Sequence, residues 1–264
     1  MRVLVTGAAS GIGRATCLRL ARDGKAQGRG ARIAAVDLAP SPGLESLVAE
    51  LTALGADALP LHADMAEPDA PARAVGAAVA RFGGLDSLVS NAGINRPGAL
   101  MEYALADWDT MFAVNTRATW FLAKASYPAL KASRGAIVAI ASMSGSNAHA
   151  NLGAYGPSKA AVIMLVKVLA QELGRDGIRV NSVSPGMVRT GMTKSVYADP
   201  RVAAERDALV PLGRVATPED MADVVAFLLS PDARYVNGHD LVADGGVTGT
   251  LLGGLPGLSK ITRS

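Results

Sequence analysis

The sequence has very few of the residues that build disulfides, zinc sites and base-stacking surfaces. Its 264 residues include one cysteine and three histidines, and aromatic residues make up only 4%. A single cysteine forms no internal disulfide, and with three histidines it is too few for a zinc site of those residues. The scarcity of aromatics argues against a platform on which nucleic-acid bases stack. We therefore expect no bound metal, and the lone cysteine fits a reducing compartment.

The sequence also lacks a strong charge surplus and any long apolar run. Its 26 Lys and Arg against 23 Asp and Glu leave a net charge of +3, too little for a phosphate-binding stripe, so no nucleic-acid partner is expected. No apolar stretch approaches a membrane span, and the start of the chain shows no signal-peptide pattern. Half of the residues are hydrophobic, which is ample for a core. These features predict a soluble cytoplasmic protein with no membrane partner.

Short apolar runs alternate with longer amphipathic stretches, a pattern typical of a mostly parallel sheet with crossover helices. Strands are predicted at 3–5, 33–36, 58–61, 85–89, 137–140, 178–183 and 241–243. Helices are predicted at about 11–23, 44–54, 69–82, 108–131, 154–173 and 218–229. The pattern predicts an α/β fold: a doubly wound, seven-stranded parallel sheet with helices on both faces, in a single domain. That domain covers 1–248. A tail, 249–264, is expected to be frayed or docked on a partner subunit, and 24–30 is expected to be a surface loop.

A glycine-rich turn joins the first predicted strand to the first predicted helix. It contains Gly7, Gly11 and Gly13, with Ser10 and Ile12 between them. Glycines let the backbone approach a ligand closely, and the helix N-terminus offers free N–H groups to a phosphate. The spacing is not the usual G-x-G-x-x-G, and glycine turns after strands are common. The strand–turn–helix context nevertheless predicts that this turn binds the phosphates of a nucleotide.

Asp37 ends the second predicted strand, where its carboxylate can accept hydrogen bonds from both hydroxyls of an adenosine ribose. The same carboxylate would repel a 2′-phosphate, and the neighbouring Ser10 and Leu38 are not basic. NAD is therefore favoured over NADP, with Arg14 the one residue whose position could allow NADP. Arg14 fits a solvated helix residue equally well. Asp64, after the third strand, is predicted to meet the adenine amino group or to cap the following helix.

Tyr155 and Lys159 are four residues apart at the start of a predicted helix, so both side chains share one face. Ser142 ends the fifth predicted strand, 13 residues before Tyr155. A Tyr–Lys pair at this spacing is weak evidence for a catalytic site by itself. In combination with Ser142 and the nucleotide turn it becomes a specific indication. A nearby ammonium favours the phenolate, so Lys159 is predicted to lower the pKa of Tyr155. Tyr155 would then exchange a proton with an alcohol oxygen that Ser142 holds.

On these residues the sequence resembles the short-chain dehydrogenase/reductase family, in its compact single-domain branch, over about residues 2–248. The matching segments are Thr6–Gly13, Asp64, Asn91–Gly93, Asn115, Ser142, Tyr155–Lys159, Pro185–Gly186 and Asp244–Gly246. The resemblance implies a Rossmann-like fold and an NAD(P)-dependent short-chain alcohol dehydrogenase or ketone reductase. It also implies a homotetramer, with the helices around 108–131 and 154–173 at a subunit interface.

The resemblance further implies roles for individual residues. Asn115 would hold a water that links Lys159 to solvent, and Lys159 would bind the nicotinamide ribose. The implied catalytic residues are Asn115, Ser142, Tyr155 and Lys159. The implied cofactor-binding residues are Gly7, Ser10, Gly11, Ile12, Gly13, Asp37, Asp64, Met65, Asn91, Ala92, Gly93, Tyr155, Lys159, Pro185, Gly186, Val188 and Thr190.

A small-molecule secondary alcohol or ketone is the predicted substrate, exchanging a hydride with NAD(H). Its pocket is predicted to be moderately apolar and partly covered by 187–212, with contacts from Met143, His149, Met187 and Met192. One alternative is a 3-oxoacyl-thioester reductase that uses NADPH. Another is a non-catalytic dinucleotide-binding protein, which the presence of Tyr155 and Lys159 disfavours. An enoyl reductase is disfavoured because that chemistry usually shows a wider Tyr-to-Lys spacing in this superfamily.

Overall fold

Seven short apolar strands pair side by side in the computed structural model, which describes residues 1–250. The strands are β1 (Arg2–Thr6), β2 (Arg32–Asp37), β3 (Asp57–His62), β4 (Ser87–Ser90), β5 (Ala136–Ile140), β6 (Arg179–Pro185) and β7 (Asp240–Ala243). Every pairing is parallel, in the order β3-β2-β1-β4-β5-β6-β7. The predicted doubly wound seven-stranded sheet is confirmed, and its strand order reverses between β1 and β4.

Helices cover both faces of the sheet. They are α1 (Gly11–Ala26), α2 (Pro42–Ala53), α3 (Ala70–Phe82), α4 (Leu105–Phe112), α5 (Ala118–Ser133), α6 (Tyr155–Leu173), α7 (Pro200–Leu209) and α8 (Pro218–Leu229). One apolar core lies between the sheet and α3, α5 and α6, and the other between the sheet and α1, α2 and α8. Within β1, Leu4 belongs to the first core while Val3 and Val5 belong to the second. This alternation follows from the two-residue period of a strand.

The predicted helix ends agree with the structure where a clear capping signal is present and differ from it elsewhere. α8 has its predicted bounds because Thr217 and Asp220 form a capping box and Pro218 occupies the first turn. The predicted end of α1 at residue 23 is wrong: the helix continues through Gly24 to Ala26, and only the remainder of 24–30 is a loop. α7 lies within the predicted cover at 187–212, where the apolar periodicity is too weak to reveal a helix. Of the predicted tail, residues 251–264 lie outside the described part of the chain.

The predicted long helix at 108–131 is also wrong in one respect. The structure divides it into α4 and α5, joined by a π-helical segment, Ala113–Arg117. Single-turn π segments inside helices are frequent at functional sites. Asn115 lies in the middle of this segment.

Asn91, directly after β4, ties that strand to the glycine turn after β1. Its Nδ2 donates to the carbonyl oxygens of Thr6 at 2.8 Å and Gly7 at 3.0 Å. The hydroxyl of Thr6 in turn accepts hydrogen bonds from the backbone N–H groups of Asn91 and Ala92, each at 3.0 Å. The adjacent strands β1 and β4 are therefore held together at their carboxyl ends, where the chain turns into α1.

The three glycines of this turn serve different purposes. A Cβ at Gly13 would lie 2.2 Å from the carbonyl oxygen of Gly7 and 2.6 Å from Nδ2 of Asn91. Gly7 has a φ of +64°, and a Cβ there would lie 2.8 Å from the same Nδ2. These two glycines are therefore required by contacts of the chain with itself. Gly11 differs, since the nearest atom to its added Cβ is a methyl of Thr190 at 3.4 Å.

The packing around Gly13 predicts that Gly13→Ala destabilises the fold by about 1–3 kcal/mol, because the added methyl meets a carbonyl oxygen that cannot move freely. Gly76 is the matched control, since it lies inside α3 with nothing within 4 Å of its added Cβ. Gly76→Ala should stabilise the protein by about 0.5–1 kcal/mol. Urea unfolding of both variants measures the difference, and equal changes of the same sign would refute this account of Gly13.

Candidate active site

A cleft of about 460 Å³ opens above the carboxyl ends of the parallel strands. It spans the point where the strand order reverses, which is the usual ligand position in open α/β sheets. The loops that line it follow β1, β2, β3, β4, β5 and β6. All of the predicted cofactor-binding residues line this cleft except Gly13, which packs beneath the turn.

Asp37 is fixed at one end of the cleft. Its Oδ2 accepts the backbone N–H of Ala9 at 2.7 Å, and its Oδ1 accepts that of Leu38 at 2.8 Å. Each carboxylate oxygen can still accept a further hydrogen bond. Arg14 points away, because its guanidinium pairs with Glu50 of α2 at 2.6 Å and does not line the cleft.

The residues present fit a dinucleotide. At the start of α1, Ser10 makes no side-chain capping bond, so the first-turn N–H groups remain available for a phosphate. A Cβ at Gly11 would meet nothing closer than Thr190, so this glycine keeps the backbone accessible from the cleft. Asp37 and Asp64 lie beyond the turn, on the β2 and β3 side. These features suit two phosphates and an adenosine.

Ser142, Tyr155 and Lys159 meet at the other end of the cleft, on the β5 side. Lys159 Nζ donates a 2.7 Å hydrogen bond to the carbonyl oxygen of Ile140, the last residue of β5. The same Nζ lies 5.9 Å from the centroid of the Tyr155 ring. Ser142 follows two residues after Ile140, and its Oγ accepts the N–H of Ser144 at 3.1 Å. The lysine thus joins the start of α6 to the strand end that carries the serine.

Burial dominates the acid–base properties of the Tyr–Lys pair. It raises the pKa of the Tyr155 phenol, while the Ser142 hydroxyl acts in the opposite sense. It also lowers the pKa of the Lys159 ammonium to about 8. The expected lowering of the Tyr155 pKa by Lys159 is not found, because removing both groups from water disfavours both charged forms. Near neutral pH the phenol therefore holds its proton.

Asn115 connects two elements of the site without lining the cleft. Its Oδ1 accepts the N–H of Ile94 at 2.9 Å, and its Nδ2 donates to the carbonyl of Ile94 at 3.1 Å and to Oγ of Ser158 at 3.0 Å. The Ser158 hydroxyl donates onward to the carbonyl of Tyr155 at 2.8 Å. Asn115 therefore links the loop after β4 to the first turn of α6. The water relay that the family resemblance implies stays a prediction.

Gly93 allows these polar groups to approach one another. A Cβ at this position would lie 3.2 Å from Oδ1 of Asn115 and 3.3 Å from Nζ of Lys159. Any larger side chain would push against the amide, the ammonium or both. The glycine that ends the Asn91–Gly93 motif is thus explained by close packing against Asn115 and Lys159.

The substrate end differs most from the sequence-based expectation. Of the four predicted substrate residues only Met192 lines the cleft, and His149 is exposed on the surface. Met143 and Met187 are not among the lining residues. Four residues that sequence reasoning missed line the cleft instead: Ile94, Arg96, Thr110 and Val114. Two signals could have indicated them, namely the closeness of the first two to the Asn91–Gly93 motif and the four-residue spacing of the last two.

The described part of the chain, residues 1–250, contains neither a membrane-spanning helix nor a cluster of metal-binding side chains. No helix in that range is long and apolar enough to cross a membrane. Within the same range, no three His, Cys, Asp or Glu side chains are grouped so that they could hold a metal ion.

The chain is similar in sequence and in fold to known dehydrogenases and reductases. A family model described as enoyl-(acyl carrier protein) reductase matches residues 7–248. The D-threitol dehydrogenase of Mycolicibacterium smegmatis is 40% identical over 246 residues, which are 93% of this chain and 92% of that protein. The (3R)-3-hydroxyacyl-CoA dehydrogenase of Mus musculus is 39% identical, over 92% of this chain and 95% of that one. A crystal structure of a short chain dehydrogenase from Burkholderia cenocepacia in complex with NADP is 36% identical, with a TM-score of 0.84 and coverage of 94% and 97%.

Proposed function

This chain belongs to the short-chain dehydrogenase/reductase family, and from that membership we propose that it transfers a hydride between NAD(H) and a secondary alcohol or the matching ketone. The family makes it an NAD(P)-dependent alcohol dehydrogenase or ketone reductase. The observation that carries the proposal is the meeting of Ser142, Tyr155 and Lys159 at one end of a cleft that begins at a glycine turn.

Each of the three side chains has a distinct task in the proposed mechanism. The protonated Tyr155 gives its proton to a ketone oxygen in the direction of reduction. In the direction of oxidation the phenol first loses its proton to solvent, and the resulting phenolate takes the hydroxyl proton of the alcohol. Ser142 holds the same oxygen through its hydroxyl, and Lys159 provides the cationic side chain next to the phenol. A bound nicotinamide would supply the acceptor or donor of the hydride. Because Lys159 uses one N–H for Ile140, two remain for a ribose or for water.

Alcohol and ketone chemistry is favoured over reduction of a carbon–carbon double bond, although the matching family model is described by an enoyl reductase. The four-residue spacing of Tyr155 and Lys159 is shorter than enoyl reductases of this superfamily usually show. Two relatives of similar length are named dehydrogenases. The direction of the reaction depends on the substrate and on the ratio of oxidised to reduced cofactor.

Tyr155→Phe should lower kcat by at least roughly 100-fold, since general acid–base catalysis contributes that much or more. Binding of NADH, followed by quenching of tryptophan fluorescence, should stay nearly unchanged. Tyr127 gives a matched control, because it also precedes a lysine by four residues but bonds to Asp176 outside the cleft at 2.7 Å. Tyr127→Phe should keep its activity, and retained turnover in Tyr155→Phe would remove that residue from the mechanism.

We propose NAD(H) as the preferred cofactor because the adenosine side of the cleft carries acids and no base. Of the described residues that line the cleft, Asp37, Asp64, Arg96 and Lys159 are charged. Asp37 is the last residue of β2 and Asp64 follows β3, and Arg14 is paired with Glu50. A 2′-phosphate at the ribose would face the Asp37 carboxylate without a basic partner. The relative from Burkholderia cenocepacia was solved with NADP, so the choice requires a direct test.

Asp37→Ser combined with Leu38→Arg should lower the ratio of kcat/KM for NAD to that for NADP by at least roughly tenfold, because it removes a repelling charge and adds a pairing one. Leu38 is 54% exposed and lines the cleft, so an arginine fits there. Asp69→Ser, which removes an exposed acid outside the cleft, should leave the ratio unchanged. A wild-type enzyme that uses both cofactors equally would contradict the role of Asp37.

We also propose the homotetramer that the family resemblance implies, with α5 and α6 at a subunit interface. These helices carry three large apolar side chains that are strongly exposed in the single chain: Trp120 at 47%, Met164 at 59% and Val168 at 43%. Exposed apolar groups on neighbouring helices mark protein interfaces. The cytoplasmic location, and the docking of the tail 249–264 on a partner, stay predictions.

Light scattering on the purified protein should give a mass near four times 26.9 kDa. Trp120→Glu combined with Met164→Glu should give a smaller species, because two charges would then lie in the interface. A monomeric wild-type protein would contradict the proposed assembly.

A further inference from the structure

Arg96 is a charged residue of the cleft that the proposed chemistry does not use. It lies in the loop after β4 and lines the cleft together with Ile94, Thr110 and Val114. Asp37 and Asp64 are assigned to the adenosine, and Lys159 to the phenol and ribose. Among the described lining residues, Arg96 is therefore the charged group that remains for the substrate.

The loop that carries Arg96 is fixed at both ends. Ile94 is held through its N–H and its carbonyl by the side chain of Asn115. At the other end, the N–H of Gly98 donates to the carbonyl of Asn151, and the carbonyl of Gly98 accepts the N–H of Gly153, both at 2.9 Å. Gly153 lies two residues before Tyr155. The backbone around Arg96 is thus bonded directly to the segment that leads into the proposed catalytic helix.

Tyr103 strengthens this connection. Its hydroxyl donates to the carbonyl of Arg96 itself at 2.7 Å. Its ring packs so closely on Gly153 that a Cβ there would lie 2.2 Å from a ring carbon, and it also contacts Gly98. The position of Arg96 relative to Tyr155 is therefore set by packing and hydrogen bonds, as a residue that selects substrates requires.

The guanidinium is held but not saturated. Nη1 of Arg96 pairs with Oδ1 of Asp107, in the first turn of α4. Nη2 and Nε keep N–H donors, and this edge of a guanidinium matches the two oxygens of a carboxylate. The Arg96 side chain remains 48% exposed, so an incoming anion can reach it. The acids of the cleft, by contrast, lie on the β2 and β3 side.

We propose that Arg96 binds a carboxylate of the substrate, so that the enzyme interconverts hydroxycarboxylates and the matching oxocarboxylates. This inference rests on the proposed function, since it assumes that the alcohol or ketone group is bound at Tyr155 and Ser142. It adds the substrate class, which neither the Ser142–Tyr155–Lys159 group nor the glycine turn specifies.

The test compares acids with their own uncharged esters. With NAD in excess, kcat/KM is measured for 3-hydroxybutyrate, 4-hydroxypentanoate and 5-hydroxyhexanoate and for their methyl esters, because the three acids place the carboxylate at increasing distance from the alcohol. The best acid should exceed its ester by roughly 10- to 100-fold, the value of a hydrogen-bonded charge pair. Arg96→Met should remove this preference mainly through KM and leave the esters unchanged. Arg96→Lys should keep part of it.

Arg81→Met is the matched control, because Arg81 is an exposed arginine that pairs with Asp57 at 2.7 Å outside the cleft. It should leave both acids and esters unchanged. The proposal is overturned if no acid exceeds its ester in the wild-type enzyme, or if a preference for acids survives in Arg96→Met.

Failure of the proposed function would look different, since neither acids nor esters would then be turned over. In that case calorimetry of the three acids with the purified protein decides the role of Arg96. Heat of binding that is present in the wild type and absent in Arg96→Met supports the site. Absence of binding in both proteins overturns it.

Discussion

The proposed catalytic end of the cleft depends on the hydrogen bond from Lys159 to the carbonyl of Ile140. The ammonium is buried, and an amine without partners in that position would be costly. The bond gives it one fixed partner at the end of β5, and in doing so it brings α6 against the strand end that carries Ser142. Tyr155, one turn earlier on the same helix, takes its position from that contact. The pairing of strand end and helix start is thus what makes three separate side chains into one site.

The parallel sheet provides a cleft whose two ends carry opposite charges. All strands point the same way, so the loops that follow them meet at one edge, and the reversal of strand order between β1 and β4 leaves a gap above them. Acids lie at the β2 and β3 side and bases at the β4 and β5 side. A dinucleotide with its adenosine over Asp37 would extend toward Lys159. Arg96, in the loop after β4, lines the same cleft and is the residue proposed to bind a substrate carboxylate.

Sequence position alone does not assign the role of a side chain in this protein, as two examples show. The chain contains a second Tyr–Lys pair four residues apart, Tyr127 and Lys131, and there the tyrosine donates to Asp176 on the surface. Asn115, in turn, is a predicted catalytic residue by family resemblance, and in the structure its side chain bonds to Ile94 and Ser158. In both cases the environment decides what the residue does. The π-helical segment that aims Asn115 has no simple sequence signature.

The sheet, most strands and helices, and the residues proposed to bind the cofactor could be predicted from the sequence, because each depends on local periodicity, on capping or on glycines near a turn. Properties that depend on partners far away in the chain could not be predicted in this way. The tertiary structure set the burial that raises the pKa of Tyr155 and lowers that of Lys159, and it separated Gly7 and Gly13, which pack against the chain, from Gly11, which borders the cleft. The predicted substrate residues Met143, His149 and Met187 do not line the cleft. Arg96 and Thr110, which the sequence did not indicate, line it instead. A loop side chain acquires its neighbours only when segments far apart in the chain pack together, and no local pattern records that event.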